Sequence, residues 1–222
     1  MRLLGMTTAL AAGLGLAQKA AACSVALALT IDVSGSVDNR EYVLQMGGLA
    51  EALRDGLVAD ALIAEEAMVT VIQWSGKSRQ EVVVPWRPIT SVAAAAALAD
   101  EVELTPRAWR NFSTGIGEAL LFAANQFSQV PQCDRRVIDV SGDGKSNEGT
   151  EPGDIKGALA ASGIVINGLA IKGAADGLPA YFRDQVMAGP NAFVFTAEGF
   201  RDYPEKIKKK LIREVTKQVA AK

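Results

Sequence analysis

The sequence predicts an α/β fold: a doubly wound, mostly parallel six-stranded sheet with one antiparallel edge strand and helices on both faces. Three observations predict it. Short apolar runs alternate with helix-length segments along the chain, the pattern of parallel strands linked by crossover helices. The first run, Val25–Ile31, has almost no polar interruption, as expected of a strand covered on both faces. One pair of runs is joined by only five polar or glycine residues, Ser75–Arg79, which suits a hairpin and hence a single antiparallel strand.

The elements follow in order. After the strand Val25–Ile31, residues 39–57 read as a helix with Tyr42, Leu49, Ala52 and Leu53 facing inward. Met68–Trp74 and Glu81–Trp86 are the hairpin strands. The alanine-rich segment 92–104 is helical. Residues 114–129 form a further helix, with Ile116, Leu120, Phe122, Ala123 and Phe127 near helical spacing. Arg136–Ser141 is a strand, 154–162 a short helix ended by Gly163, and Ile164–Ile171 a strand. A weak helix spans 178–187, a strand 192–196, and a last helix 201–220.

The chemistry lies where strands end. Asp32-Val33-Ser34-Gly35-Ser36 directly follows the first strand and offers a carboxylate and two hydroxyls at alternate positions. These are hard oxygen donors, suited to Mg²⁺ or Mn²⁺ rather than a soft metal. Gly35 lets the turn bend. Read alone, the segment is equally a strand-to-helix turn, because Asp and Ser are common turn residues. Ser113-Thr114-Gly115 then places a hydroxyl in a glycine-containing loop before a helix, and Val140-Ser141-Gly142-Asp143-Gly144 ends another strand on a carboxylate. Together the three segments resemble the metal-ion-dependent adhesion site of von Willebrand factor A domains. Asp32, Ser34, Ser36, Thr114 and Asp143 match that pattern in identity and order. The wording around them also looks like an uncharacterised bacterial secreted family of this fold. The resemblance runs from about Ser24 to the C-terminus and implies a Mg²⁺ (or Mn²⁺) site open to a carboxylate from a protein partner. One departure stands out: Gly142 precedes the last Asp where many A domains have Thr.

The chain has 222 residues, 49% of them hydrophobic and 22% charged, enough for one domain with a full core. Residues 1–22 read as a signal peptide: Arg2, an uncharged apolar stretch from Leu3 to Ala17, and small residues at Ala20-Ala21-Ala22. Residues 23–222 are then the A-like domain, secreted and periplasmic, with no stable membrane insertion. Loss of Arg2 and Lys19 lowers the basic count from 23 to 21 against 25 acidic residues, a net −4, which gives no footprint for nucleic acid. Cys23 lies nine residues before Asp32, and Cys133 ten before Asp143. If those carboxylates end neighbouring parallel strands, the cysteines meet at the other ends, within disulfide range. Lipidation of Cys23 is the competing use of that thiol, although the preceding alanines lack the usual large aliphatic residue.

Other signals weigh less. Histidine is absent, which removes Ser-His and Cys-His pairs and the usual zinc ligands. Gly144-Lys145-Ser146 resembles the tail of a phosphate loop, but position 139 is Asp where a Gly is needed. The chain therefore reads as a non-enzymatic binding protein; a Mg²⁺-dependent phosphoryl-transfer enzyme and a metal-free interaction domain are the alternatives. Asp139 sits inside an apolar run and needs a partner, structural or near the metal. Trp109 is a candidate partner contact at the site rim, or local packing. Lys206, Lys208, Lys209, Lys210, Arg213 and Lys217 form the charged side of the last helix, opposite Tyr203, Ile207, Leu211, Val215 and Val219. That pattern suits an amphipathic surface helix, or docking to an anionic surface.

Overall fold

A computed structural model describes residues 23–173 and 175–216. The expected signal peptide, Lys217 and Val219 lie outside the described residues. Six strands form one sheet: β1 (Cys23–Asp32), β2 (Met68–Trp74), β3 (Gln80–Pro88), β4 (Cys133–Gly142), β5 (Ile164–Ile171) and β6 (Val194–Ala197). Their order is β3-β2-β1-β4-β5-β6, and every pairing is parallel except β2 with the edge strand β3. The chain winds outward from β1 to β3, then returns to the other side of β1 with β4. The switch point is therefore the gap between the carboxyl ends of β1 and β4, where sheets of this kind bind ligands.

Alternation along β1 supplies both faces. Leu27, Leu29 and Ile31 join a core with helices α1 (Asn39–Arg54), α2 (Gly56–Ala64), α3 (Val92–Leu104) and α7 (Tyr203–Val215). Ala26 and Ala28 face the opposite core, with α4 (Ile116–Gln126), α5 (Pro152–Ala161) and α6 (Leu178–Tyr181).

The expected helix over 39–57 is in fact two. Asp55 caps the end of α1 and turns its carboxylate onto the N–H groups of Leu57 and Val58, starting α2 at Gly56. α4 stops at Gln126 and tightens into a 3₁₀ turn over Phe127–Gln129. α6 is one turn of α-helix that widens into a π turn at Phe182–Val186. The last strand falls at Val194–Ala197 rather than 192–196.

At the amino ends of β1 and β4, Cys23 and Cys133 are paired in register with Cα atoms 4.5 Å apart, and a disulfide joins them. The thiol considered for lipidation is thus in a covalent bond. Among the described residues no helix is long and apolar enough to cross a membrane.

Candidate metal centre

β1 ends on Asp32, whose side chain is fully buried. Its Oδ1 accepts the Ser34 N–H at 2.7 Å, while Oδ2 is buried without a well-formed hydrogen bond. The turn that follows is fixed from three directions. The Gln45 side chain donates to the Asp32 carbonyl at 2.9 Å, and the Gly35 N–H donates to the Phe112 carbonyl at 2.7 Å. Arg107 donates to the carbonyls of Val33 and Ser34 at 3.0 and 2.9 Å.

Four hydroxyl and carboxylate oxygens converge beside Asp32. Ser34 Oγ lies 3.2 Å from Ser36 Oγ, Thr114 Oγ1 donates to Ser34 Oγ at 3.2 Å, and Ser36 Oγ donates to Asp143 Oδ1 at 2.5 Å. Thr114 is held by an exchange with the 140s loop: its N–H donates to the Asn147 side chain, and the Asn147 N–H returns to the Thr114 carbonyl, both at 2.9 Å. All five expected site residues are brought together at the switch point. Trp109 is not among them; it is half-buried and packs against the α1-side core. The aromatic ring left exposed in that loop is Phe112.

Gly142 explains the departure noted in the sequence. A Cβ there would stand 2.9 Å from Asp32 Oδ2, closer than atoms pack, so the position beside this carboxylate takes no side chain.

Arg107 is the nearby counter-charge, and it offsets the shifts of the two carboxyls only in part. Burial and the nearby Asp143 raise the Asp32 carboxyl to about 7, against the lowering effect of the Ser34 hydrogen bonds. Burial also raises Asp143; the Ser36 hydroxyl opposes this and the charge of Glu41 adds to it. No cationic side chain bonds either carboxylate. Three hydroxyls and the Asp143 carboxylate at successive spacings of 2.5 to 3.2 Å, beside the buried Asp32 carboxylate, fit a hard divalent cation. Oxygens along the edge of an octahedron with Mg²⁺-type bonds are about 2.9 Å apart. Among the described residues no group of three His, Cys, Asp or Glu offers a softer or all-carboxylate cage.

Arg107, Asn147 and Gln45 were not foreseen as supports. Their signal was faint: Arg107 and Asn147 sit in loops and Gln45 inside α1, with nothing local to tie them to the backbone groups they bond.

The comparisons agree with this geometry. Residues 22–219 match the family described as "Protein of unknown function (DUF1194)". The chain belongs to that family. No curated protein matches it. Its fold is similar to proximal thread matrix protein 1 from the mussel byssus (TM-score 0.66, 19% identity, 86% of this chain and 47% of that one). One structure of that mussel protein has a zinc-occupied MIDAS motif. The fold is also similar to a von Willebrand factor type A protein from Catenulispora acidiphila (0.62, 21%, 90% and 44%). A third likeness is an aerotolerance-related membrane protein from Bacteroides fragilis (0.54, 18%, 86% and 99%). The chain spans about half the length of the first two. The six-stranded fold is thus that of a von Willebrand factor A domain.

Proposed function

We propose that the chain is a secreted, periplasmic binding domain that holds a divalent cation, Mg²⁺ or Mn²⁺, and uses it to capture a carboxylate of a protein partner. Asp32, Ser34, Ser36, Thr114 and Asp143 hold the ion, directly or through water. The observation that carries this reading is the buried, unpartnered Oδ2 of Asp32 beside four converging oxygens. Such a carboxylate is costly without a cation. The bound ion supplies one thing, an electrophilic position that accepts an Asp or Glu oxygen.

The zinc-occupied motif of the mussel protein supports a metal at this place in the fold. The Cys23–Cys133 disulfide supports an oxidising compartment. Residues 144–146 do not serve as a phosphate cradle, since the Ser146 N–H is taken by the Tyr181 hydroxyl and the Ser146 hydroxyl faces the Thr114 carbonyl. This favours ligation over phosphoryl transfer.

Titration calorimetry and melting curves with Mg²⁺ and Mn²⁺ test the reading. Ion at 100 times its dissociation constant adds about 2.7 kcal/mol when only the native state binds. Asp32→Ala abolishes that shift and leaves the fold intact. Equal shifts in wild type and variant would place the ion elsewhere.

A further inference from the structure

Three loops surround the site, and their charges are not evenly spread. Lys77 and Arg79 lie on the 75–79 loop, Arg107 and Arg110 on the 107–114 loop, and Lys145 on the 143–148 loop. None of these five makes an ion pair, although ten ion pairs engage other cations among the described residues. Arg110 is close enough to disfavour the charge on Arg107. Besides Asp143 of the site itself, these loops hold one acid, Glu148, and it spends an oxygen on the Lys77 N–H at 2.8 Å.

The loops form a single frame. The Ser75 hydroxyl donates to the Ser113 carbonyl at 2.9 Å, and the Gly115 N–H donates to the Ser75 carbonyl at 2.8 Å. Arg79 lies over the exposed Phe112 ring, 3.7 Å from its centre. Asp38 and Glu41 cap α1 close by, with the exposed Arg40 between them; Asp38 bears on Arg107 and Glu41 on Asp143. The metal end therefore carries a frame of unpaired cations with an aromatic platform.

We infer that the partner is an acidic protein segment, whose carboxylate at the metal is followed by further Asp or Glu residues lying over Arg79, Arg110 and Lys145. This rests on the metal-carboxylate reading above and adds a direction and a charge pattern to it. Unpaired cations on a rigid frame attract such a segment over a Debye length and repel a basic one.

The test uses fluorescent peptides with one Asp in a Gly/Ser context, flanked on one side by three Glu, three Gln or three Lys. Binding is read by anisotropy with Mg²⁺, with chelator, and at rising salt. The Glu-flanked peptide binds about tenfold more tightly than the Gln-flanked one, as three exposed charge pairs allow, and the Lys-flanked peptide binds least. The Glu-to-Gln ratio falls toward one in Arg79→Gln/Arg110→Gln/Lys145→Gln, and at high salt. Arg110→Gln/Lys145→Gln, which leaves the Arg79–Phe112 stack untouched, lowers the ratio part of the way. Equal affinities for the Glu- and Gln-flanked peptides, or a ratio unchanged in both variants, overturns the inference. Metal-dependent binding without a Glu advantage overturns it while leaving the metal-carboxylate reading standing. A Glu advantage that persists in chelator and in Asp32→Ala overturns both, and assigns the acidic preference to the cationic loops without the metal. No binding by any peptide overturns both.

Discussion

Asp32 and Gly142 show how two residues divide the work at one corner of the site. Asp32 supplies a carboxylate whose second oxygen has no well-formed hydrogen bond, and Gly142 leaves that oxygen room. Gly142→Ala puts a methyl group against Oδ2 and turns the carboxylate away. It should weaken Mg²⁺ binding by at least ~10-fold, the scale of losing a ligand's support. It leaves the Cys23–Cys133 end of the sheet undisturbed. Calorimetry against wild type checks it; equal affinity means the carboxylate is not a ligand. The pH dependence follows from the same residue. With its carboxyl raised to about 7, metal-free Asp32 keeps its proton through the acid range, and the ion must displace it. Apparent Mg²⁺ affinity should be level above about pH 7 and fall by up to tenfold per unit below it. Titrations at several pH values in a non-chelating buffer test the sign. Affinity that is flat down to pH 5 would mean that Asp32 is already ionised without metal.

Among the elements, α7 departs furthest from its sequence pattern. Lys210 sits in a run of basic residues and reads as surface charge, yet it is fully buried. It bonds Asp139 of β4 and Glu214 of its own helix, each at 2.5 Å. The amphipathic pattern correctly orients Tyr203, Ile207, Leu211 and Val215 inward. It fails at Lys210 because periodicity carries no information about a carboxylate on a strand 71 residues earlier. Asp139 is answered by this partner and not by the metal site. The group holds two acids and one base out of water. Burial first, then the charge of Asp139, raises Glu214 to about 8, with Lys210 opposing. A carboxyl raised on folding keeps its proton in the native state when the unfolded chain has lost it. Its stabilisation is complete below about pH 4.5 and drains away as pH rises to about 8. Melting temperature measured with saturating Mg²⁺, which fixes Asp32, should fall across that window, and Glu214→Gln should flatten the fall. Parallel curves for the two proteins would assign the slope to other groups.

At the scale of the molecule, alternation of apolar runs and helices was enough to give six strands, the antiparallel edge and the placement of Asp32 and Asp143 at one sheet edge. Those features rest on hydrophobic burial, which is written locally. The break at Asp55 and the support of the site by Arg107 were not legible, because each depends on a hydrogen bond set by the fold itself. The disulfide was legible only through register: near-equal distances, nine and ten residues, to the two carboxylates place Cys23 opposite Cys133. It closes a loop spanning 110 positions, worth ~4–5 kcal/mol in the chain-entropy model. Cys23→Ser/Cys133→Ser should therefore melt well below wild type, yet bind Mg²⁺ with unchanged affinity, because the site is at the far edge of the sheet. A matching loss of metal binding would show that the two edges are coupled. The bond has a mechanical meaning too. Any pull delivered at Cys23 passes through sulfur to β4 before it reaches the hydrogen bonds that flank β1. With the thiols reduced, the same pull would unzip β1 from its first residue toward Asp32. With the bridge intact, the load is shared by the two central strands, and the site at their other end is shielded from it.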